Sequence, residues 1–390
     1  MSITSQLRSL PLNGKTIFLR ADLNVPINDG VILNDHRLQA IEPTLSFLVE
    51  HNTTIVLATH IGRPNSPEPD LSTRHLLPWF TQHGYNVIFA PNLEQLPHLI
   101  HSHRGTIILL ENLRFFPGER NHDPQFAQLL ARNIDFYVND AFAVLHRADT
   151  SITLLPHLFT PARRTIGFLI ESEIAHLNRL IESPTKPFTL VIGGGKIETK
   201  IPVLQKLIPL IDNLLLCPAI VFSFLKALRK PVGKSLVDDT ALNTCTNLLE
   251  QARAHKVNVF FPLDYQIAQG SFTGPLSYVR ADEFPNDGVG VSIGPDTGQI
   301  FGNIIRESET IFYNGLMGSV ARKETLGGMD TILKAMAASS GFSVIGGGDS
   351  VAAAELLGHA DDISYLSTGG GATLNYISGA PLPGLAPFIT

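Results

Sequence analysis

The chain has 390 residues, 44% hydrophobic and only 16% charged, with a formal net charge of −6. That composition excludes a disordered chain, and at about 150 residues per domain the length predicts two large domains or three smaller ones. The mild negative charge argues against nucleic acid as a partner, and two cysteines, Cys217 and Cys245, are too few for a disulfide framework or a thiolate metal site. No apolar run reaches the ~20 residues of a membrane span, and the first residues contain no apolar signal core, so no membrane partner and a cytoplasmic location are expected.

Short β-branched runs alternate with longer amphipathic stretches along the chain. The predicted strands of the first half are Thr16–Leu19, Thr54–Ala58, Val87–Ala90, Thr106–Leu110 and Phe136–Val138. Those of the second half are Phe188–Ile192, Asn213–Leu216, Val257–Phe261, Thr310–Tyr313, Ser343–Ile345 and Ile363–Leu366. Helical patterns such as Gln125–Asn133 and Thr240–His255 lie between them. Such alternation predicts an α/β fold built from βαβ units, and eleven strands fit two doubly wound parallel sheets (Rossmann-like domains) better than one. Glu171–Ile181 has an apolar helical face and is followed by Glu182-Ser-Pro-Thr-Lys-Pro187, which breaks it. A hinge helix and linker over 171–187 is therefore expected to join domains at 1–170 and 188–379.

Ligands of open parallel sheets bind beyond the carboxyl ends of the strands. In the first half those ends are cationic or polar: Arg20 with Asp22 and Asn24, His60 with Gly62 and Arg63, Arg114, and Arg147, with Arg37 opening the next helical stretch. Residues 1–170 hold thirteen Lys/Arg and fourteen Asp/Glu, so this half is not basic overall; its arginines are placed rather than abundant. Arginine binds carboxylate and phosphate through two parallel N–H donors, so an Arg-lined cleft suits a small anion carrying both groups.

The second half has glycine where the first has arginine. Its strand ends read Gly193-Gly194-Gly195-Lys196, Asn314-Gly315, Gly346-Gly347-Gly348-Asp349-Ser350 and Thr368-Gly369-Gly370-Gly371. Bare backbone N–H groups at helix starts cradle phosphate, Lys196 and Lys200 share a helix face, and Asp349 is placed to hold Mg²⁺ between phosphates. Three such loops favour polyphosphate. Gly233-Lys234-Ser235 is not a P-loop, because position 228 is Leu where that motif requires Gly, and no dinucleotide fingerprint is present.

These residues resemble the phosphoglycerate kinase family over essentially the whole chain. The resemblance is carried by Arg20-Ala-Asp-Leu-Asn-Val-Pro26, His60-Ile-Gly-Arg63, Leu110-Glu-Asn-Leu-Arg114, Asn139-Asp-Ala-Phe142 with His146-Arg147, and Gly346-Gly-Gly-Asp349 with Ser367-Thr-Gly-Gly-Gly371. It implies that Asp22, Asn24, Arg37, His60, Gly62, Arg63, Arg114 and Arg147 bind 3-phosphoglycerate, with Arg20 supporting them. Lys196, Lys200, Asn314, Gly347, Gly348, Asp349 and Ser350 are implied on the nucleotide and its Mg²⁺. Arg37, the two lysines, Gly370 and Gly371 are implied around the moving phosphoryl group. The implied reaction is reversible phosphoryl transfer between 1,3-bisphosphoglycerate with ADP and 3-phosphoglycerate with MgATP, by a monomer whose tail, about 380–390, packs back on the first domain. Hinge closure is implied to exclude water from the transfer.

Departures gather in the nucleotide half. Cys217-Pro218-Ala219 stands where the family has a glycine-rich segment against adenine, and Ala321 stands where it has a ribose-binding Glu. Either Glu324 reaches in from a shifted loop or that contact is absent. The alternatives are a relative that binds 3-phosphoglycerate without catalysis, and an acyl-phosphate kinase with altered nucleotide preference.

Overall fold

The computed structural model describes residues 5–389; residues 1–4 and 390, the outermost positions of the two expected terminal segments, lie outside that range. The chain divides into two compact units, Met1–Ala175 with Pro381–Thr390, and His176–Ala380.

The first unit is built on a six-stranded parallel sheet: β1 (Thr16–Ala21), β2 (Thr54–Ala58), β3 (Val87–Ala90), β4 (Ile107–Leu110), β5 (Phe136–Asp140) and β6 (Arg164–Ile166), in spatial order β3-β4-β2-β1-β5-β6. Every residue of β2 and of β5 is buried, as expected of strands covered on both faces. Successive residues face opposite layers, so Leu19 and Leu57 pack with Leu38 and Trp79 while Phe18 and Val56 pack with Leu110 and Tyr137. Helix α1 (His36–Glu50) follows the first loop. The tail returns to this unit: Gly384 N donates to Leu145 O at 2.9 Å and Phe388 stacks on Tyr137.

Helix α2 (Phe168–Ile181) starts three residues earlier than its apolar period predicts, and the division between the units falls inside it, between Ala175 and His176. Its start is tied to β5. Asp140 accepts from Ile170 N at 3.0 Å, and Phe168 N donates to Thr44 Oγ1 at 2.9 Å. Gly167 makes this approach possible, because a Cβ there would sit 2.2 Å from the Asp140 Cγ.

The second unit repeats the plan with β7 (Phe188–Gly194), β8 (Asn213–Ala219), β9 (Asn258–Phe260), β13 (Thr310–Asn314), β14 (Phe342–Gly346) and β15 (Tyr365–Leu366), ordered β9-β8-β7-β13-β14-β15, all parallel. Helices α3 (Ile197–Leu207), α8 (Gly348–Leu356) and α9 (Gly371–Ser378) begin at its glycine-rich strand ends. Between β9 and β13 lies a three-stranded antiparallel sheet that the sequence pattern does not announce: β10 (Asp264–Gln269), β11 (Leu276–Arg280) and β12 (Gly288–Ile293), in order β11-β10-β12. The edge strand β11 has no buried residue, and in β12 Val289, Val291 and Ile293 alternate with Gly288, Gly290 and Ser292, so glycines that read as turn residues mask its period. Helices α4 (Ile220–Ala227), α5 (Leu242–Ala254), α6 (Pro295–Arg306) and α7 (Gly327–Ala337) complete the unit.

Candidate functional site

In the first unit, the ends of β1, β2 and β4 bring the predicted anion-binding side chains together. Asp22 accepts a hydrogen bond from the Arg37 guanidinium of α1. Burial alone would push the Asp22 carboxyl up, but Arg37 and its neighbouring cations outweigh it and hold the group below its ordinary value. His60, also buried, stands 3.8 Å from Asp22, yet burial holds its imidazole well below its ordinary value, so it is neutral and the approach is no ion pair. Asn24 Oδ1 accepts from Gly62 N at 2.8 Å, fixing the β2 loop against the β1 loop.

Arg114 donates to the Gly62 carbonyl, which leaves its buried Nε and Nη2 without a hydrogen-bond partner among the described residues; Arg147 Nε and His60 Nδ1 likewise have none among them. Burial, with Arg147 adding to it, lowers Arg114 to about 10, so it remains cationic near neutrality. Buried donors aimed at nothing in the protein are unfavourable unless a ligand completes them. Those on Arg114 and Arg147 are donors that an anion would complete. Arg63 is exposed beside Gly62.

One assignment needs correction. Arg20 does not reach a dissolved substrate: it is wholly buried, donates through Nε to Ser151 Oγ at 2.8 Å and to the Ala21 carbonyl, and lies 3.8 Å from Glu119. It braces β1 from beneath. The bracing residues Glu119, Ser151 and Asn112 escaped sequence reasoning. Asn112 Nδ2 donates to the Ile61 and Leu71 carbonyls, both at 2.8 Å, and so shapes the loop that carries Gly62 and Arg63. Its place inside Leu110-Glu-Asn-Leu-Arg114, a polar residue in a buried strand end, was the available signal.

In the second unit, a cavity of about 650 Å³ lies beyond the ends of β7, β13 and β14, lined by Gly194, Lys196, Lys200, Asn314, Gly347, Gly348, Asp349, Ser350, Gly370 and Gly371. Its floor is backbone. A Cβ on Gly193 would meet the Gly315 and Pro218 carbonyls, both at 2.9 Å. Lys196 is exposed and Lys200 buried, and burial with the neighbouring Lys196 lowers the Lys200 ammonium. Gly370, at φ +52°, precedes α9, and a Cβ there would meet nothing, leaving room for backbone N–H groups to approach a ligand.

Asn314 and Ser350 reach the cavity wall, but their side chains bond within the protein. Asn314 Nδ2 donates to Gly346 O at 2.7 Å, and Ser350 Oγ accepts from Gly315 N at 3.2 Å. Asp349 sits exposed in the first turn of α8. No cluster of three or more His, Cys, Asp or Glu that could hold a metal exists among the described residues.

Cys217 points into the core beside Val191 and Tyr313, and none of residues 217–219 lines the cavity, so side chains there do not narrow it. Ala321 and Glu324 are both exposed and line no part of it either. Two bonds fix the backbone of the loop bearing them: Arg322 Nη2 donates to Gly274 O at 2.7 Å, and Gln266 Nε2 donates to Glu324 O at 3.0 Å.

Arginines gathered for a small anion in one α/β unit, and a glycine-floored, lysine-bearing cavity in a second of the same plan, define a two-unit phosphotransferase. The phosphoglycerate kinase family model matches residues 7–380, and on that whole-length match the chain belongs to the phosphoglycerate kinase family. The cytosolic phosphoglycerate kinase of Nicotiana tabacum is 38% identical over 97% of this chain and 96% of its own length. The phosphoglycerate kinase of Bdellovibrio bacteriovorus is 37% identical over 97% and 96%. Among solved structures, phosphoglycerate kinase from Coxiella burnetii superposes with a TM-score of 0.81 at 30% identity, covering 98% of this chain and 97% of its own. That from Pyrococcus horikoshii gives 0.83 at 28%, covering 99% and 98%.

Proposed function

We propose that the chain transfers a phosphoryl group reversibly between 1,3-bisphosphoglycerate with ADP and 3-phosphoglycerate with MgATP. The observation that carries this reading is the set of buried nitrogens on Arg114, Arg147 and His60, without hydrogen-bond partners among the described residues, near the Asp22–Arg37 pair. They suit an anion with a phosphate at one end and a carboxylate at the other.

The acceptor carboxylate is already ionised near neutral pH, so no general base is required, and alignment with charge stabilisation supplies catalysis. Asp22 orients Arg37, which would meet the acceptor end of the acid. Arg63, Arg114 and Arg147 would hold the phosphate end. Lys200 of α3 and Lys196 would meet the transferring phosphoryl oxygens, with backbone N–H groups at Gly370 and Gly371 adding donors. Water must be excluded while transfer proceeds, or hydrolysis would compete.

Mg²⁺ fits the residues present. It takes few protein ligands when phosphate oxygens supply the rest, and Asp349 offers one carboxylate that no hydrogen bond or ion pair engages among the described residues. Bound there, the ion would neutralise charge on the β- and γ-phosphates. A monomeric, cytoplasmic enzyme is proposed, supported by the cytosolic names of the plant relatives. Steady-state transfer from MgATP to 3-phosphoglycerate by the purified chain, with calorimetric titration of 3-phosphoglycerate, tests the reading. Turnover with both substrates is expected; binding of the acid with no turnover at saturating MgATP would overturn it.

A further inference from the structure

The first unit holds a second cavity, of about 570 Å³, within the size range of sites for small organic molecules. Its walls are largely apolar: Pro67 and Pro69 after β2, Pro91 after β3, and Phe115 and Phe116 after β4. One cation opens onto it. The Arg74 guanidinium rests over the Phe89 ring, 4.9 Å from its centroid, and no hydrogen bond or ion pair engages it among the described residues.

The other polar groups are committed or opposed to anions. Glu111 accepts from Ser72 Oγ at 2.7 Å, Thr73 N at 3.0 Å and Asn112 N at 2.7 Å. His75 Nε2 is bonded to the Pro69 carbonyl at 2.9 Å, and Glu68 stands exposed at the rim. Two carboxylates disfavour a dianion such as a phosphate monoester, and a bare inorganic ion would leave the apolar walls unused.

We propose that this cavity binds a small organic monocarboxylate with a flat apolar body, its carboxylate on Arg74 and its body against the prolines and Phe115. The cavity backs onto the loop that carries Gly62 and Arg63. That loop is pinned by Asn112 at Ile61 and Leu71, by Arg114 at Gly62, and by Arg120 Nη2 at the Pro64 carbonyl, 2.6 Å away. Residues 67–69, between the pins, form one wall. An occupant that displaces this wall shifts the loop, and with it the KM for 3-phosphoglycerate, a consequence that rests on the function proposed above.

Phenylacetate is a suitable probe, titrated by saturation-transfer NMR against the full chain with 3-phosphoglycerate saturating, and with phenethylamine as the cationic control. Phenylacetate is expected to bind the wild type, and Arg74→Gln to weaken it about tenfold or more, the loss of one charge-assisted contact. Phe115→Ala, which leaves the cation in place, is expected to weaken it as well. Equal affinity in the wild type and both variants, or preference for phenethylamine, would overturn the site. Binding is read directly, so a chain that binds phenylacetate without transferring phosphate would overturn the kinase reading and leave this one standing.

Discussion

Gly315 and Gly193 meet backbone to backbone at the floor of the nucleotide cavity, where a Cβ on Gly315 would lie 2.1 Å from the Gly193 carbonyl oxygen. Gly315 also has φ +102°, a conformation that side chains rarely adopt.

Gly315→Ala therefore meets both a strained backbone and a contact that neighbouring backbone cannot relieve. The substitution is expected to destabilise the second unit by about 1–3 kcal/mol in urea denaturation and to raise the KM for ATP. The affinity for 3-phosphoglycerate, measured calorimetrically, should stay within error of wild type.

Arg114→Lys keeps the charge but not the planar fork that serves Gly62 O and a bound anion together. Loss of one or two charge-assisted hydrogen bonds corresponds to a rise of roughly 10- to 100-fold in the KM for 3-phosphoglycerate. Steady-state kinetics with ATP saturating would show it, and a KM equal to wild type would mean that Arg114 serves only the loop.

Burial raises the Asp140 carboxyl to about 7 against the hydrogen bonds it accepts, among them that from Ile170 N. A carboxyl whose folded pKa is raised binds more protons in the folded state than in the unfolded one between its two pKa values. Its contribution is full below the unfolded value, near 4, and declines as pH rises towards 7. Asp140→Asn keeps an acceptor for Ile170 N and removes the ionisation. The variant should lose an acid-side advantage on the order of a few kcal/mol, giving a flatter stability profile from pH 4 to 7 in urea titrations.

Ala321→Glu restores a carboxylate where the family uses one on the ribose. Neither Ala321 nor Glu324 lines the cavity, and the bond that fixes Glu324 is to its backbone carbonyl, from Gln266. The KM for ATP is expected to fall about tenfold, with a smaller fall for the 2′,3′-dideoxy analogue. An unchanged KM would place the ribose elsewhere.

The buried strands were legible because parallel sheets covered on both faces require continuous apolar runs: Thr54–Ala58 is buried throughout and has the predicted bounds. The three-residue edge strand β6 is too short to show a period, β11 is exposed, and the glycines of β12 mask the alternation of Val289, Val291 and Ile293. At the anion site the residue types were readable, but their directions were not. Arg20 and Arg114 both follow apolar runs at strand ends, yet one guanidinium turns under the sheet to Ser151 and Glu119 while the other reaches the Gly62 carbonyl.

By itself, the sequence determined two α/β units, arginines at strand ends in one and glycines in the other, because strand periodicity and backbone freedom are properties of neighbouring residues. Only the tertiary structure decided which cations face a ligand, that Cys217 enters the core, that Glu324 stays outside the cavity, and that the chain changes units within α2. Those outcomes depend on packing between segments up to 131 residues apart, as between Arg20 and Ser151, and local pattern carries no record of them.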